Sequence, residues 1–309
     1  MVLHKTTGRW KLGLGLVSLT VLLWGILPIA LKNVLEVLDP FTVTGFRFTV
    51  AVLCTGIFVW HKGQLPRKEQ FDKPILKLLL VAFLGLCGNY LFFLLGLRFL
   101  SPSTAQVVIQ LAPLFLLVGS LIIFKESFSL LQGGGVILFL FGLLLFFNER
   151  LMELFSCLDD YTAGVLLVFC GAWCWAAYAL AQKQLLKNFP SQTIMLMIYL
   201  GAMLAFLPFS DFSALLNLDL FHFAMLMFCA LNTVFAYGFF AEALNHWDAS
   251  RVSAINTTVP LVTVAAMKLC NWWFPDFLPS EDLGWLSIIG AVLVVAGSMT
   301  AALGRKKSV

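Results

Sequence analysis

Apolar runs long enough to cross a bilayer recur along the chain, each closed by a short cluster of polar, charged or turn-forming residues. A helix needs about 20 apolar residues to cross roughly 30 Å of hydrocarbon. The pattern predicts ten such spans, over 12–31, 40–60, 75–97, 102–124, 130–147, 161–182, 190–210, 221–244, 249–270 and 284–303. No stretch between them is long enough to fold alone. The expected fold class is therefore an all-α integral membrane protein without a soluble domain. The first run is too long for the core of a cleavable signal peptide, and no small-x-small site follows Ala30, so it reads as a retained first helix. Asp39-Pro40 reads as a turn and helix start.

Composition sharpens this picture. Of 309 residues, 61% are hydrophobic and only 12% charged, which suits a chain whose solvent is lipid. That excludes a secreted disulfide scaffold, a disordered hub, a nucleic-acid binder and an ordinary cytosolic enzyme. Net charge adds little, but charge placement adds much. With the N-terminus in the cytoplasm, fifteen of the 20 Lys and Arg residues fall on the cytoplasmic side. Only Lys32, Arg98 and Arg150 fall outside, and Arg47 and Lys268 lie within spans. This positive-inside bias places both termini in the cytoplasm and requires an even number of spans.

The two halves match one another. A shift of 147 lays 90–113 on 237–260 without a gap, pairing Tyr90 with Tyr237, Phe93 with Phe240, Ser103 with Ser250 and Pro113 with Pro260. A shift of 155 lays Gly135 and Gly142 on Gly290 and Gly297, and a shift of 151 lays Trp24 and Lys32 on Trp175 and Lys183. The chain thus divides into repeats 1–150 and 151–309, five spans each. An odd number of spans inverts the second copy. Inverted five-helix repeats are an architecture of alternating-access carriers, with the ligand near the midplane at their interface.

Polar groups inside the spans mark candidate chemistry, because an amide or hydroxyl in hydrocarbon must find a partner or water. Gln106, Gln110 and Pro113 in span four recur as Ser253, Thr257 and Pro260 in span nine, on one helix face. Both prolines sit roughly 15 Å deep, where each should kink its helix and free a carbonyl one turn back, at Ile109 and Asn256. Gln110 and Thr257 then either satisfy the kink or a neighbouring helix, or line a substrate path. Asn256 is the costliest amide to bury and the leading single contact. Spans three and eight supply Asn89-Tyr90 and Asn232-Thr233-Tyr237. The two tyrosines, each about 10 Å from opposite ends, suit alternate gates or plain packing. Trp24, Trp175 and Tyr178 either pack or stack on a flat ligand. Pro28, Pro113 and Pro260 are the candidate hinges. Arg47, about 10 Å deep, is functional by default as an intramembrane charge, or else bonds carbonyls for structure. Lys268 should snorkel. Glu242 either pairs with Arg251 or relays protons.

No metal, cofactor or catalytic site is expected. The seven cysteines form no CxxC, and six read as buried small hydrophobes, with Cys157 an exposed loop thiol. The Gly-rich pieces at 13–15 and 133–135 follow no strand, so phosphate and dinucleotide loops fail on context. No span carries facing acids for a membrane protease.

Trp24-Gly25 with Pro28, Gly45-Phe46-Arg47-Phe48, Pro113 followed by Lys125-Glu126, and the closing glycines of spans five and ten resemble the drug/metabolite transporter superfamily, EamA type. The resemblance covers about 13–303, and departs where Asn271-Trp272-Trp273 replaces the usual Gly-Glu pair. It implies small-metabolite transport, mostly export, across the bacterial inner membrane, with amino acids as cargo in one branch. It also implies a cavity formed by spans one to four and six to nine, with five and ten peripheral. Arg47 matches a common position of the family. Span one lacks the acid of the superfamily's small cation/proton antiporters, which disfavours lipophilic cations. The expected function is export of a neutral or zwitterionic metabolite, foremost a large neutral or aromatic amino acid. The alternative is import or exchange of a nucleoside-like or adenosyl metabolite. The expected partners are the small-molecule substrate and the bilayer; oligomeric state is open, a monomer sufficing. A membrane enzyme or a channel is the rival class.

Overall fold

A computed structural model describes residues 7–124, 128–150, 159–247, 249–274 and 283–303. Among them run twelve α-helices: α1 Trp10–Val37, α2 Pro40–His61, α3 Lys73–Phe99, α4 Pro102–Val108, α5 Leu111–Phe124, α6 Leu130–Phe146, α7 Asp160–Leu185, α8 Ser191–Phe206, α9 Leu220–His246, α10 Ala249–Asn256, α11 Val259–Trp273 and α12 Trp285–Leu303. Eight spans are long and apolar enough to cross a membrane, one of them built from α4 and α5 together. The shorter α6 and the broken pair α10–α11 supply the other two predicted spans. The fold is all-α, ten membrane spans in two inverted five-helix repeats.

Local chemistry sets the helix starts. Asp39 accepts from the backbone N–H of Phe41 at 2.8 Å and of Thr42 at 3.1 Å, with Pro40 as the first helical residue, as expected from sequence. Asp72, Asp159 and Asp219 cap α3, α7 and α9 in the same way. The N–H groups of Thr162 and His222 hold the Asp159 and Asp219 carboxyls below the usual carboxylate range. At the opposite polarity, the Lys32 ammonium donates to the carbonyls of Leu97, Arg98 and Leu100 at 2.7–2.9 Å. A cation thus satisfies the otherwise unpaired C-terminal end of α3. Lys268 is exposed near the end of α11, as a snorkelling lysine should be.

Packing obeys the internal symmetry. Span three packs on span six (α3 on α7), and its symmetry mate packs span eight on span one (α9 on α1). The pairs two–seven (α2 on α8) and five–ten (α6 on α12) map onto themselves, so the pseudo-twofold axis runs between their members. The five–ten pair meets through glycine. A Cβ at Gly135 would lie 2.5 Å from the Ala301 nitrogen, and one at Gly297 would lie 2.7 Å from the Gly135 carbonyl. Gly142 and Gly290 approach each other in the same manner. Such close backbone contact is how helices bind in lipid, where apolar burial gives little drive.

The outer surface is ringed by exposed large apolar side chains such as Leu53, Ile57, Leu84 and Ile122, as a lipid solvent requires. Cys170 is exposed and, among the described cysteines, only Cys229 is fully buried, which corrects the expectation of buried thiols; Cys157 lies outside the described residues. On such a helix a small sulfur side chain is as well solvated by lipid as by protein.

Candidate functional site

Spans four and nine are broken, not merely kinked. The α4 helix stops at Val108 and α5 starts at Leu111; α10 stops at Asn256 and α11 starts at Val259. Pro113 and Pro260 fall in the first turn of the new helices, where the missing N–H has no intrahelical partner anyway. The expected kinks are therefore replaced by full interruptions. The Ile109 carbonyl, expected to be freed, accepts from the Ala112 N–H at 3.0 Å. The hydroxyls of Thr257 and Thr258 turn back to the carbonyls of Ala254 and Ile255 at 2.8 and 2.7 Å. Gln110 Nε2 donates to the Thr257 carbonyl at 3.3 Å and so bridges the two breaks. Pro28 instead stays inside the continuous helix α1.

A cavity of about 160 Å³ lies beside these breaks. That is room for on the order of ten waters. Its walls come from spans one to four, six, eight and nine. Spans five and ten stay outside it, as the resemblance implied. Span seven (α8) is also absent from the lining; it packs on α2 and α3. Of the residues proposed from sequence, Trp24, Asn89, Tyr90, Gln106, Gln110, Trp175, Asn232, Tyr237 and Asn256 line the cavity, as do Pro28 and Pro113.

Three do not, and each has a physical reason. Tyr178 is 2% exposed in the helix-packing core, its hydroxyl 3.1 Å from Met195 Sδ. The Thr257 hydroxyl is spent on its own helix break. Pro260 is buried in packing. The side chain of Ser253 lies outside the described residues.

Two asparagines hold the walls together, one across each of two related helix pairs. Asn89 Nδ2 on α3 donates to the Gly171 carbonyl of α7 at 3.0 Å. Asn232 Nδ2 on α9 donates to the Leu23 carbonyl of α1 at 2.7 Å. These are equivalent interfaces under the pseudo-twofold axis. Thr263 adds a bond to the Gly25 carbonyl at 2.8 Å, so the turn of α1 before Pro28 is tied to two neighbours. The Oδ1 atoms of Asn232 and Asn256 are buried without a partner among the described residues.

Aromatic and charged groups complete the lining. Trp24 meets Tyr237 edge-on at 5.2 Å, and Trp175 lines the same cavity. Tyr90 lies 4.7 Å from the Phe48 ring, and the Arg47 guanidinium sits 4.5 Å over the Tyr90 ring. Both tyrosines face the same cavity rather than separate mouths. Arg47 Nε donates to the Thr233 hydroxyl at 3.2 Å, and Arg47 and Thr233 both line the cavity. The bond goes to a neighbouring side chain and not to the carbonyls anticipated for a structural arginine. The signal for Arg47 was its charge at mid-span; Thr233 was legible only as the neighbour of Asn232. Glu242 stands apart, exposed and 3.1 Å from His246 Nε2. No cluster of His, Cys, Asp or Glu able to hold a metal occurs among the described residues.

Comparison with known proteins agrees with this architecture. The profile of the EamA-like transporter family matches twice, over residues 11–148 and 162–303. An "uncharacterized transporter" of Haemophilus influenzae is 39% identical over 96% of both chains. The "uncharacterized inner membrane transporter YhbE" of Escherichia coli K12 is 40% identical over 96% of this chain and 92% of its own. A "probable amino-acid metabolite efflux pump" of Salmonella typhimurium is 24% identical over 91% and 92%. One crystal structure superposes with a TM-score of 0.65, covering 97% of this chain and 100% of its own at 17% identity, a likeness of fold alone. With two copies of the family profile filling almost the whole chain and the repeat packing as symmetry requires, this protein belongs to the EamA-like transporter family.

Proposed function

We propose that the protein is a secondary carrier that exports a large neutral or aromatic amino acid by alternating access. The observation that carries this reading is the polar, aromatic-walled cavity beside two broken helices at the interface of inverted repeats. Irregular backbone at membrane depth is tolerated where it is buried in protein or lines water, and carriers use such breaks to bind and to move. Trp24, Trp175 and Tyr237 offer ring faces and edges, and Gln106, Gln110 and Asn256 offer amides to a polar head. Rocking of one repeat against the other about the breaks would open the cavity to each face in turn. The amino-acid cargo is supported by the name of the Salmonella relative, and the inner membrane by that of the Escherichia coli one. The positive-inside bias supports cytoplasmic termini. The correspondence of the two profile matches supports 1–150 and 151–309 as the two repeats.

Counterflow in proteoliposomes tests the reading. Vesicles loaded with unlabelled phenylalanine, leucine or tryptophan should transiently accumulate the labelled amino acid, and uptake should saturate. Nucleosides should fail to exchange. Exchange of nucleosides alone would transfer the cavity to the alternative cargo, and non-saturating flux would make the protein a channel.

A further inference from the structure

The charge of the cavity is one-sided. Arg47 is 3% exposed and lines it, yet among the described residues no Asp or Glu does. A guanidinium carries five N–H donors in a planar fork. The Nε–H is engaged by Thr233, and the Tyr90 ring covers one face of the plane. Among the described residues nothing else accepts from Arg47. Its terminal nitrogens are also not among the sealed, unpartnered polar atoms, so they abut the open space of the cavity. An arginine kept for structure at this depth is paired or wrapped in carbonyls, because an unpaired buried charge is costly. Arg47 has neither, and its orientation is fixed by a ring stack and one side-on bond. A planar fork held rigidly with its outer nitrogens free is the complement of a carboxylate.

We propose that Arg47 anchors the carboxylate of the transported molecule, and that the substrate class is aromatic or apolar carboxylates for which an α-amino group is dispensable. The proposal rests on the carrier reading above and narrows its chemistry. An ammonium group would meet only neutral amides, such as those of Gln106 and Gln110, and ring faces. The carboxylate alone meets an opposite charge. Phe93, Trp24 and Trp175 then form the apolar side that receives the rest of the molecule.

Thermal unfolding of the purified protein tests the anchor with three probes: phenylalanine, 3-phenylpropionate, and the neutral isostere 3-phenylpropanamide. The first two should raise the melting temperature and the amide should not. Arg47→Gln should weaken the effect of 3-phenylpropionate at least tenfold in concentration, and Arg47→Lys should restore part of it. The comparison of acid with amide needs only the wild-type protein, so a misfolding variant cannot mask the answer. Equal stabilisation by acid and amide, or none by either carboxylate, overturns the anchor. In proteoliposomes, exchange of 3-phenylpropionate without exchange of phenylalanine would end the amino-acid reading and keep the anchor. Exchange of phenylalanine that is indifferent to Arg47→Gln would keep that reading and end the anchor.

Discussion

Asn89 and Asn232 each lie in the cavity wall, but each spends its amide N–H on the backbone of a neighbouring helix. Their first role is therefore to fix the wall, and the Asn232 oxygen is itself sealed from the cavity. Replacing either by Ala leaves a mid-membrane carbonyl without its cross-helix donor. The expected cost is about 1–3 kcal/mol, read as a lower unfolding midpoint in detergent for each variant. Loss of transport at unchanged stability would make them cargo contacts instead. In contrast, Asn256→Ala and Gln106→Ala should impair counterflow with little change in stability, since neither side chain holds another helix in place. Normal rates in both would move the site elsewhere. The sequence made these positions legible as polar groups that hydrocarbon could not tolerate. It could not tell a tether from a contact, because the partner carbonyls lie 82 and 209 positions away along the chain. Tyr178 stayed open between packing and stacking for a related reason: a tyrosine satisfied by one sulfur looks the same in sequence as one facing water.

At the scale of elements, the two interruptions and the glycine seam behave differently. Proline in a helical pattern announces a disturbance but not its form. A kink and a clean break differ only in whether neighbouring side chains can take over the lost bonds. Here Thr257, Thr258 and Gln110 do so, which lets each span end and restart within two residues. Gln110→Ala removes the bond that joins the breaks, and should slow exchange with near-normal expression, as measured by counterflow per folded protein. Unchanged exchange would separate the breaks from the transport cycle. The seam between α6 and α12 has no such freedom. Gly290→Leu would drive a side chain into the α6 backbone, and should cost at least about 1–3 kcal/mol or abolish recovery of folded protein. Gly134→Leu, one position along from the seam and facing open space, is the matched control and should be tolerated. The matched spacing of these four glycines was visible in sequence. That they face one another was not, since a shift that aligns two helices does not say that they touch.

The whole molecule follows from two facts of the chain: five spans per repeat, and repeats that resemble each other. An odd count forces inversion, and inversion requires that where span three meets six, span eight meets one, as it does. Membership in ten spans was legible because hydropathy over 20 residues is a strong signal. Which faces meet lipid was not, because the spans are apolar nearly all round, and so the place of span seven outside the cavity appears only in the fold. The central claim is that the cavity between the repeats opens to each side of the membrane in turn. It is tested most directly by a single cysteine replacing the cavity-lining Ile109, in a background freed of the seven native cysteines. An impermeant thiol reagent is added to right-side-out and then to inside-out vesicles. Labelling from both faces, slowed by cargo, is the predicted result. Labelling confined to one face whether or not cargo is present, or absent from both, would contradict the account.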